Sequence, residues 1–192
     1  MEALLPGVVR RVLEGAAPQP RWLPRRLLTV VSVDLDAAAG VGAVRIVWRP
    51  KSARAREHLA LLEWYDEQWQ YVGGGIGPVD ATADVDVIEV RSGGGALSLT
   101  RRDNPPQSIN RALWISCVTV HLGQDVGHVL IGNRRINAPE QRKVVASWTS
   151  PYASRRARPV IVAFGRGGGE ISRIGPHDGL DTHTWKRLGE EA

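Results

Sequence analysis

From residue 27 to residue 174 the chain is a succession of short segments rich in β-branched residues, divided by glycine, proline, asparagine and aspartate. No segments of helical period alternate with them, which argues against an α/β fold. The spacing predicts an all-β protein, an antiparallel β-sandwich of about 9–11 strands that is immunoglobulin-like or related. The predicted strands span residues 27–35, 41–48, 60–65, 68–72, 83–90, 96–101, 112–122, 126–132, 142–148, 158–164 and 170–174.

Two of these segments indicate how the sheets are layered. Residues 112–122 are apolar on both faces, which predicts a strand at the centre of the fold. Residues 60–72 predict a hairpin with a two-residue turn at Asp66 and Glu67, although apolar residues in the same stretch also fit a helical period. The hairpin register places four large side chains on one face, which we expect to be buried: Leu62, Trp64, Trp69 and Tyr71.

Three glycine-rich stretches are interpreted as turns. SGGG at residues 92–95 is expected to turn the chain between the strands 83–90 and 96–101. GGGIGP at 73–78 has no Lys-Ser/Thr after it and ends in proline, and GRGGGE at 165–170 lies between two predicted strands, without the following helix that would bind phosphate. We therefore predict no nucleotide phosphate site at either stretch.

The N-terminal residues 1–26 are predicted to form a short amphipathic helix and a proline-rich arm. A helix of about nine residues is not stable alone in water, so its apolar stripe must pack on the chain's own domain, on a partner protein or on a membrane surface. The stripe is the candidate protein-binding surface and consists of Leu5, Val8, Val9, Val12 and Leu13. The arm, residues 16–26, contains three prolines that prevent regular structure.

The rest of the chain is predicted to form one β-sandwich domain, residues 27–175, and a polar C-terminal tail, residues 176–192. Two smaller sandwiches, divided near residues 103–110, are the alternative. The first fifteen residues lack the apolar core of a secretory signal, and no run is long enough to cross a bilayer. We therefore expect a cytoplasmic protein that is not inserted in a membrane.

The positive charge is concentrated in the second half of the chain. The net charge is +5, and residues 134–173 hold nine basic residues against Glu140 and Glu170 only. A loop with Tyr152 beside arginines suits phosphate groups and a stacked base, although a solvated loop or an acidic protein partner also explains it. The candidate anion-binding residues are Arg155, Arg156, Arg158 and Arg166.

Catalytic and metal-binding patterns are weak throughout the sequence. Cys117 and His121 lie about 13 Å apart along one strand, which is too far for a thiolate pair, so Cys117 is predicted to be a core residue. The only metal-ligand residues close together, between His177 and His183, match no spacing with a required geometry. We expect no catalytic residue, no metal and no cofactor.

The sequence as a whole predicts a non-catalytic interaction module. It would bind another protein or a second copy of itself, as a subunit or accessory of a larger assembly. Binding of nucleic acid or another polyanion through residues 134–173 is the alternative function. Metal-dependent activity, or carbohydrate binding on an exposed platform of Trp64, Trp69 and Tyr71, is a third.

Overall fold

The structure is a computed structural model that describes residues 4–79 and 85–191. Within these ranges the chain forms two helices and eleven strands. In chain order they are α1 (Leu5–Leu13), β1 (Leu28–Asp36), β2 (Val41–Trp48), β3 (Arg56–Tyr65), β4 (Gln68–Pro78), β5 (Ile88–Leu97), β6 (Leu113–Leu122), β7 (Val126–Ile131), β8 (Arg134–Asn137), β9 (Lys143–Pro151), β10 (Ile161–Gly165), β11 (Glu170–Ile174) and α2 (Thr182–Glu191).

The strands form three sheets, and every pair in them is antiparallel. The first sheet has the order β1-β2-β3-β4, the central sheet β5-β6-β9 and the third sheet β11-β10-β7-β8. The predicted all-β class is therefore confirmed, with three sheets where a simple sandwich has two.

Strand β6 lies in the middle of the central sheet and contributes to two hydrophobic clusters. Ile115 and Cys117 pack with Leu61 of the first sheet. Val120 and Leu122, on the opposite face of β6, pack with β7 and β10 of the third sheet. The alternation along one strand thus joins the three sheets, as the apolar pattern of residues 112–122 predicts.

Helix α1 covers the other face of the first sheet. Leu5, Val8 and Val9 are fully buried against apolar residues of β1, β2 and β3. The arm that follows is irregular, as predicted, and is held by Gln19. The Gln19 side chain accepts a hydrogen bond from Val30 N at 2.9 Å and donates to Leu28 O at 3.2 Å. It therefore satisfies backbone groups of β1, the edge strand of this sheet.

The predicted hairpin at residues 60–72 is confirmed, and the helical alternative is wrong. Asp66 and Glu67 both have positive φ, 52° and 58°, as a tight two-residue turn requires. Trp64 pairs with Trp69 in the predicted register. Trp64 nevertheless remains 49% exposed, because it lies next to the turn at the end of the sheet.

The glycine-rich stretch SGGG at residues 92–95 was wrongly predicted to be a turn. Residues 92–95 do not turn the chain; they lie inside β5, which continues to Leu97 with a bulge between Val90 and Gly93. Residues 73–78 likewise belong to β4. The predicted strand 96–101 does not form, and β8 was not predicted, so the expected number of strands agrees because the two errors cancel. Residues 83 and 84 of the predicted strand 83–90 lie outside the described residues.

The C-terminal segment also differs from the predicted polar tail, because it contains α2. Asp181 is buried, accepts hydrogen bonds from His183 N at 3.0 Å and Thr184 N at 3.2 Å, and so caps the first turn. The Ser172 hydroxyl of β11 also donates to Asp181. This buried cap fixes the start of the helix against the third sheet.

A polar network joins all three sheets at one edge. The Asp34 carboxylate of β1 accepts hydrogen bonds from Ser147 N of β9 at 2.7 Å and from Arg134 Nη2 of β8 at 2.9 Å. Arg134 also pairs with Asp36 and donates to Ser147 O. We call this network the β1–β9 seam.

Candidate functional site

A cleft of about 550 Å³ opens between the first and central sheets, on the side opposite the β1–β9 seam. Its two long sides are β4 and β5, each an edge strand of its sheet. The two strands are in contact at one point: a Cβ added to Gly73 would lie 3.1 Å from the Ala96 side chain. We call the groove between the strands the β4–β5 cleft.

The floor of the β4–β5 cleft is apolar and its sides are largely bare backbone. Leu59, Leu61 and Cys117 form the floor. Six of the thirteen lining residues are glycines: Gly74, Gly75, Gly77, Gly93, Gly94 and Gly95. Strand interiors disfavour glycine, and here the two facing strands expose mainly backbone to the cleft.

Three of these glycines are not required by packing. A Cβ added to Gly75, Gly77 or Gly94 would meet no atom within 4 Å, and none of the three has a positive φ. The other three are required by packing, because a Cβ would lie 2.1 Å from the Leu59 carbonyl oxygen at Gly74, 2.7 Å from the Cys117 carbonyl oxygen at Gly93 and 2.3 Å from the Trp114 ring at Gly95. The open positions could hold larger side chains, and those side chains would fill the cleft.

One ion pair lies at the cleft. The fully buried Arg45 guanidinium makes two hydrogen bonds to the carboxylate of Glu57, which lines the cleft. Among the described residues that line the cleft, Glu57 is the one ionisable acid or base apart from the Cys117 thiol, and Arg45 neutralises it. The cleft therefore suits an uncharged, mainly apolar occupant.

The Cys117 thiol on the floor of the cleft is unreactive at neutral pH. Burial raises its pKa to about 12, so the thiol stays protonated at neutral pH. A protonated thiol is a poor nucleophile and a poor metal ligand. The prediction that Cys117 is a packing residue agrees with its place in the core cluster.

The candidate protein-binding residues of α1 divide into two groups. Leu5, Val8 and Val9 are occupied by the protein's own core, because the first sheet offers the helix an apolar face. Val12 is half-buried and Leu13 is 53% exposed. Only the last two remain available to a partner.

The four candidate anion-binding arginines do not form one cluster. Arg166 lies beyond the far end of β10 from the loop that holds the others, and the five residues of β10 span about 17 Å. Arg158 donates to Asp178 O, and burial lowers the pKa of its guanidinium. Arg155 and Arg156 remain together at the surface beside Tyr152.

Much of the remaining charge in residues 134–173 is used inside the fold. Arg134 belongs to the β1–β9 seam. Arg142 donates to the carbonyl oxygens of Gly123 and Val126, and Arg173 pairs with Glu170 at 2.8 Å. The density of arginine in the sequence therefore overstates the charge available to a polyanion.

Two arginines from outside this stretch lie beside the turn that precedes Arg155. A 3₁₀ turn at Ile109–Arg111 packs against the one at Tyr152–Ser154, and Arg101 and Arg111 line a second depression of about 400 Å³. The sequence showed these arginines, but only the pairing of β6 with β9 brings them to the same place.

The other candidate chemistries find little geometric support. Asp181 is committed to capping α2, and among residues 4–79 and 85–191 no three His, Cys, Asp or Glu side chains are grouped to hold a metal ion. The Trp64 and Trp69 rings meet edge to face at 66°, so they do not form a flat sugar platform. No helix in the described ranges is long and apolar enough to cross a membrane.

The comparisons with known proteins add no relative: no family model, no curated protein and no solved structure matches this chain. The β4–β5 cleft must therefore be interpreted from its own geometry. One sequence signal could have located it, namely the two runs of three glycines at residues 73–75 and 93–95.

Proposed function

We propose that this protein is a non-catalytic interaction module that binds an extended, apolar segment of a partner protein in the β4–β5 cleft. The observation that carries the proposal is that two glycine-rich edge strands face each other across an apolar floor. Extended peptides commonly bind by adding to a sheet edge, where their backbone pairs with the strand and alternate side chains fill pockets.

The chemistry of the cleft fits such a segment. An edge strand pairs half of its backbone groups inside the sheet, and the others are available to a new strand. Residues 74–79 of β4 and its continuation span roughly 20 Å, which is the length of a six-residue extended segment. Because Leu59 and Leu61 form the floor, the side chains that point inward should be apolar.

The open glycines support a binding role over a purely structural one. A β-branched residue in place of Gly75 or Gly94 would favour the strand and meet no atom at its Cβ. Glycine at these two positions makes the strands less stable than a β-branched residue would, and a side chain there would occupy the cleft. A site kept clear for another backbone accounts for that pattern.

The proposal extends to the type of fold, the partner and the location of the protein. The first and central sheets together form a β-sandwich, immunoglobulin-like in the broad sense, with the cleft at one open side. The partner is another protein or a second copy of this chain, in a larger assembly. A free, buried Cys117 agrees with a reducing, cytoplasmic location.

The proposal is tested by selecting from a display library of random peptides on the wild-type protein. The cleft-filled variant Gly75→Val/Gly94→Val serves for counter-selection, and Gly167→Val, an open glycine between β10 and β11, is the matched control. We expect apolar peptides that bind wild type and Gly167→Val with equal Kd and the cleft-filled variant at least tenfold more weakly. Peptides that bind all three proteins equally, or no enriched peptide, would refute the proposal.

A further inference from the structure

We propose a second site, independent of the β4–β5 cleft, at which the protein binds single-stranded nucleic acid. It lies at the end of the central sheet where β6 begins and β9 ends. Its phosphate-binding groups come from three separate segments of the chain: Arg101, Arg111, Arg155 and Arg156. We call this set the arginine patch.

Backbone hydrogen bonds hold the three segments together. Tyr152 N donates to Ala112 O at 2.8 Å, which joins the turn that carries Arg111 to the one that precedes Arg155. Ser98 N donates to Leu113 O at 3.0 Å, which holds the start of the Arg101 segment against β6. The arginine patch is therefore built on the rigid end of a sheet rather than on loops alone.

The charge of the arginine patch is not neutralised locally. Within the ranges that the structure describes, none of its four arginines forms an ion pair. The nearest acid along the chain, Asp103, accepts a hydrogen bond from the Tyr65 hydroxyl, which raises the pKa of Tyr65. This contrasts with Arg134, Arg142 and Arg173, whose charges are used inside the fold.

Aromatic rings support one of these guanidinium groups. The Arg155 guanidinium lies over the Tyr152 ring, 4.0 Å from its centroid, and donates to Tyr152 O at 3.0 Å. Tyr152 in turn meets Trp114 edge to face at 5.4 Å. Stacking fixes the plane of the guanidinium, and a fixed plane favours bidentate contact with a phosphate.

The depression beside the arginines indicates nucleic acid rather than an acidic peptide. It has a volume of about 400 Å³ and is lined by Arg101, Arg111, two prolines and the amides of Asn104 and Gln107. Amide side chains offer both a donor and an acceptor to the edge of a base. An acidic peptide would use the charge but has no base edge to pair with these amides, whereas an unpaired strand can turn a base into the depression.

The test is fluorescence anisotropy of the full chain with fluorescein-labelled oligo(dT) and oligo(U), a duplex of equal length, and heparin as a non-nucleic polyanion. The charge-reversed variant is Arg111→Glu/Arg156→Glu. The control variant Arg25→Glu/Arg54→Glu changes the net charge equally at exposed arginines elsewhere.

We expect single strands to bind with a salt dependence that corresponds to about four phosphates, so affinity should fall about 50-fold between 50 and 200 mM salt. The patch variant should bind at least tenfold more weakly than wild type, and the control less than threefold. The proposal is overturned by equal losses in both variants, by no binding below tens of micromolar at 50 mM salt, or by a preference for duplex or heparin over single strands.

Discussion

The first and central sheets meet along two sides, and the two sides are built in opposite ways. At the β1–β9 seam, polar side chains bridge the edges: Ser32 Oγ accepts from Val145 N at 3.0 Å, and Asp34 accepts from Ser147 N at 2.7 Å. At the β4–β5 cleft, the facing strands carry glycines and leave about 550 Å³ open. Polar side chains therefore close the β1–β9 seam, whereas the scarcity of side chains leaves the β4–β5 cleft open.

Under the proposed function, one side is structural and the other binds a partner. Exposed strand edges are a hazard, because they can pair with other chains, and proteins commonly cover or charge them. This protein covers the β9 edge with the Ser32 hydroxyl and the Asp34 carboxylate of β1, which accept from β9 backbone N–H groups. It leaves the β4 and β5 edges uncharged in the cleft, which is expected where pairing with another chain is the purpose.

The largest expected effect is at the seam. Asp34→Ala would leave Arg134 and Ser147 N without this acceptor in a buried position, so we expect a loss of about 3 kcal/mol in the free energy of unfolding. Urea denaturation followed by tryptophan fluorescence measures it. Asp36→Ala is the control, because Asp36 is nearer the surface and Arg134 keeps Asp34; it should cost about 1 kcal/mol. Equal small losses would mean that the seam does not close the fold.

A smaller effect compares two neighbouring glycines of the cleft. Gly74→Ala forces a Cβ to within 2.1 Å of Leu59 O and should destabilise by about 2 kcal/mol. Gly75→Ala meets no atom and should stabilise by about 0.5 kcal/mol, because the unfolded chain loses freedom. The same denaturation experiment measures both. A loss at Gly75 equal to that at Gly74 would show that the cleft is not open.

The smallest effect tests whether the floor of the cleft is dry. Burial raises the pKa of Cys117 to about 12, so the folded state keeps the proton that the unfolded state loses above its ordinary pKa near 8.5. Stability should therefore fall as the pH rises, by about 0.8 kcal/mol between pH 7.5 and 9. Cys117→Ala should remove that part of the pH dependence. An identical pH profile for the variant would place the thiol in contact with water.

The sequence predicted the fold where hydrophobic alternation decides it. The hairpin at Asp66 and Glu67 and the central position of β6 follow from side-chain period alone. The glycine runs were wrongly predicted to be turns. Glycine occurs both in strands and in turns, and a run of glycines has no alternation of apolar and polar side chains that would distinguish the two. The two glycine runs do mark the strands that line the cleft, but they carry no side-chain period from which the facing of β4 and β5 could be predicted.

Charge was the second source of error. Arg134 and Arg155 contribute equally to the charge of the sequence. In the fold, however, Arg134 forms ion pairs with Asp34 and Asp36, some hundred residues earlier in the chain. Helix α2 was missed because its stability depends on a buried cap, Asp181, and on the Ser172 hydroxyl of β11. Such long-range partners are fixed by strand pairing, which residue spacing does not reveal.

The most direct test of the central claim is hydrogen–deuterium exchange of the protein with and without a selected apolar peptide. If the peptide adds to the edges of the β4–β5 cleft, exchange should slow at the amides of residues 73–77 and 93–97, while those of β1 and β9 are unchanged. Protection confined to α1, α2 or the β1–β9 seam, with no change in β4 and β5, would contradict the account.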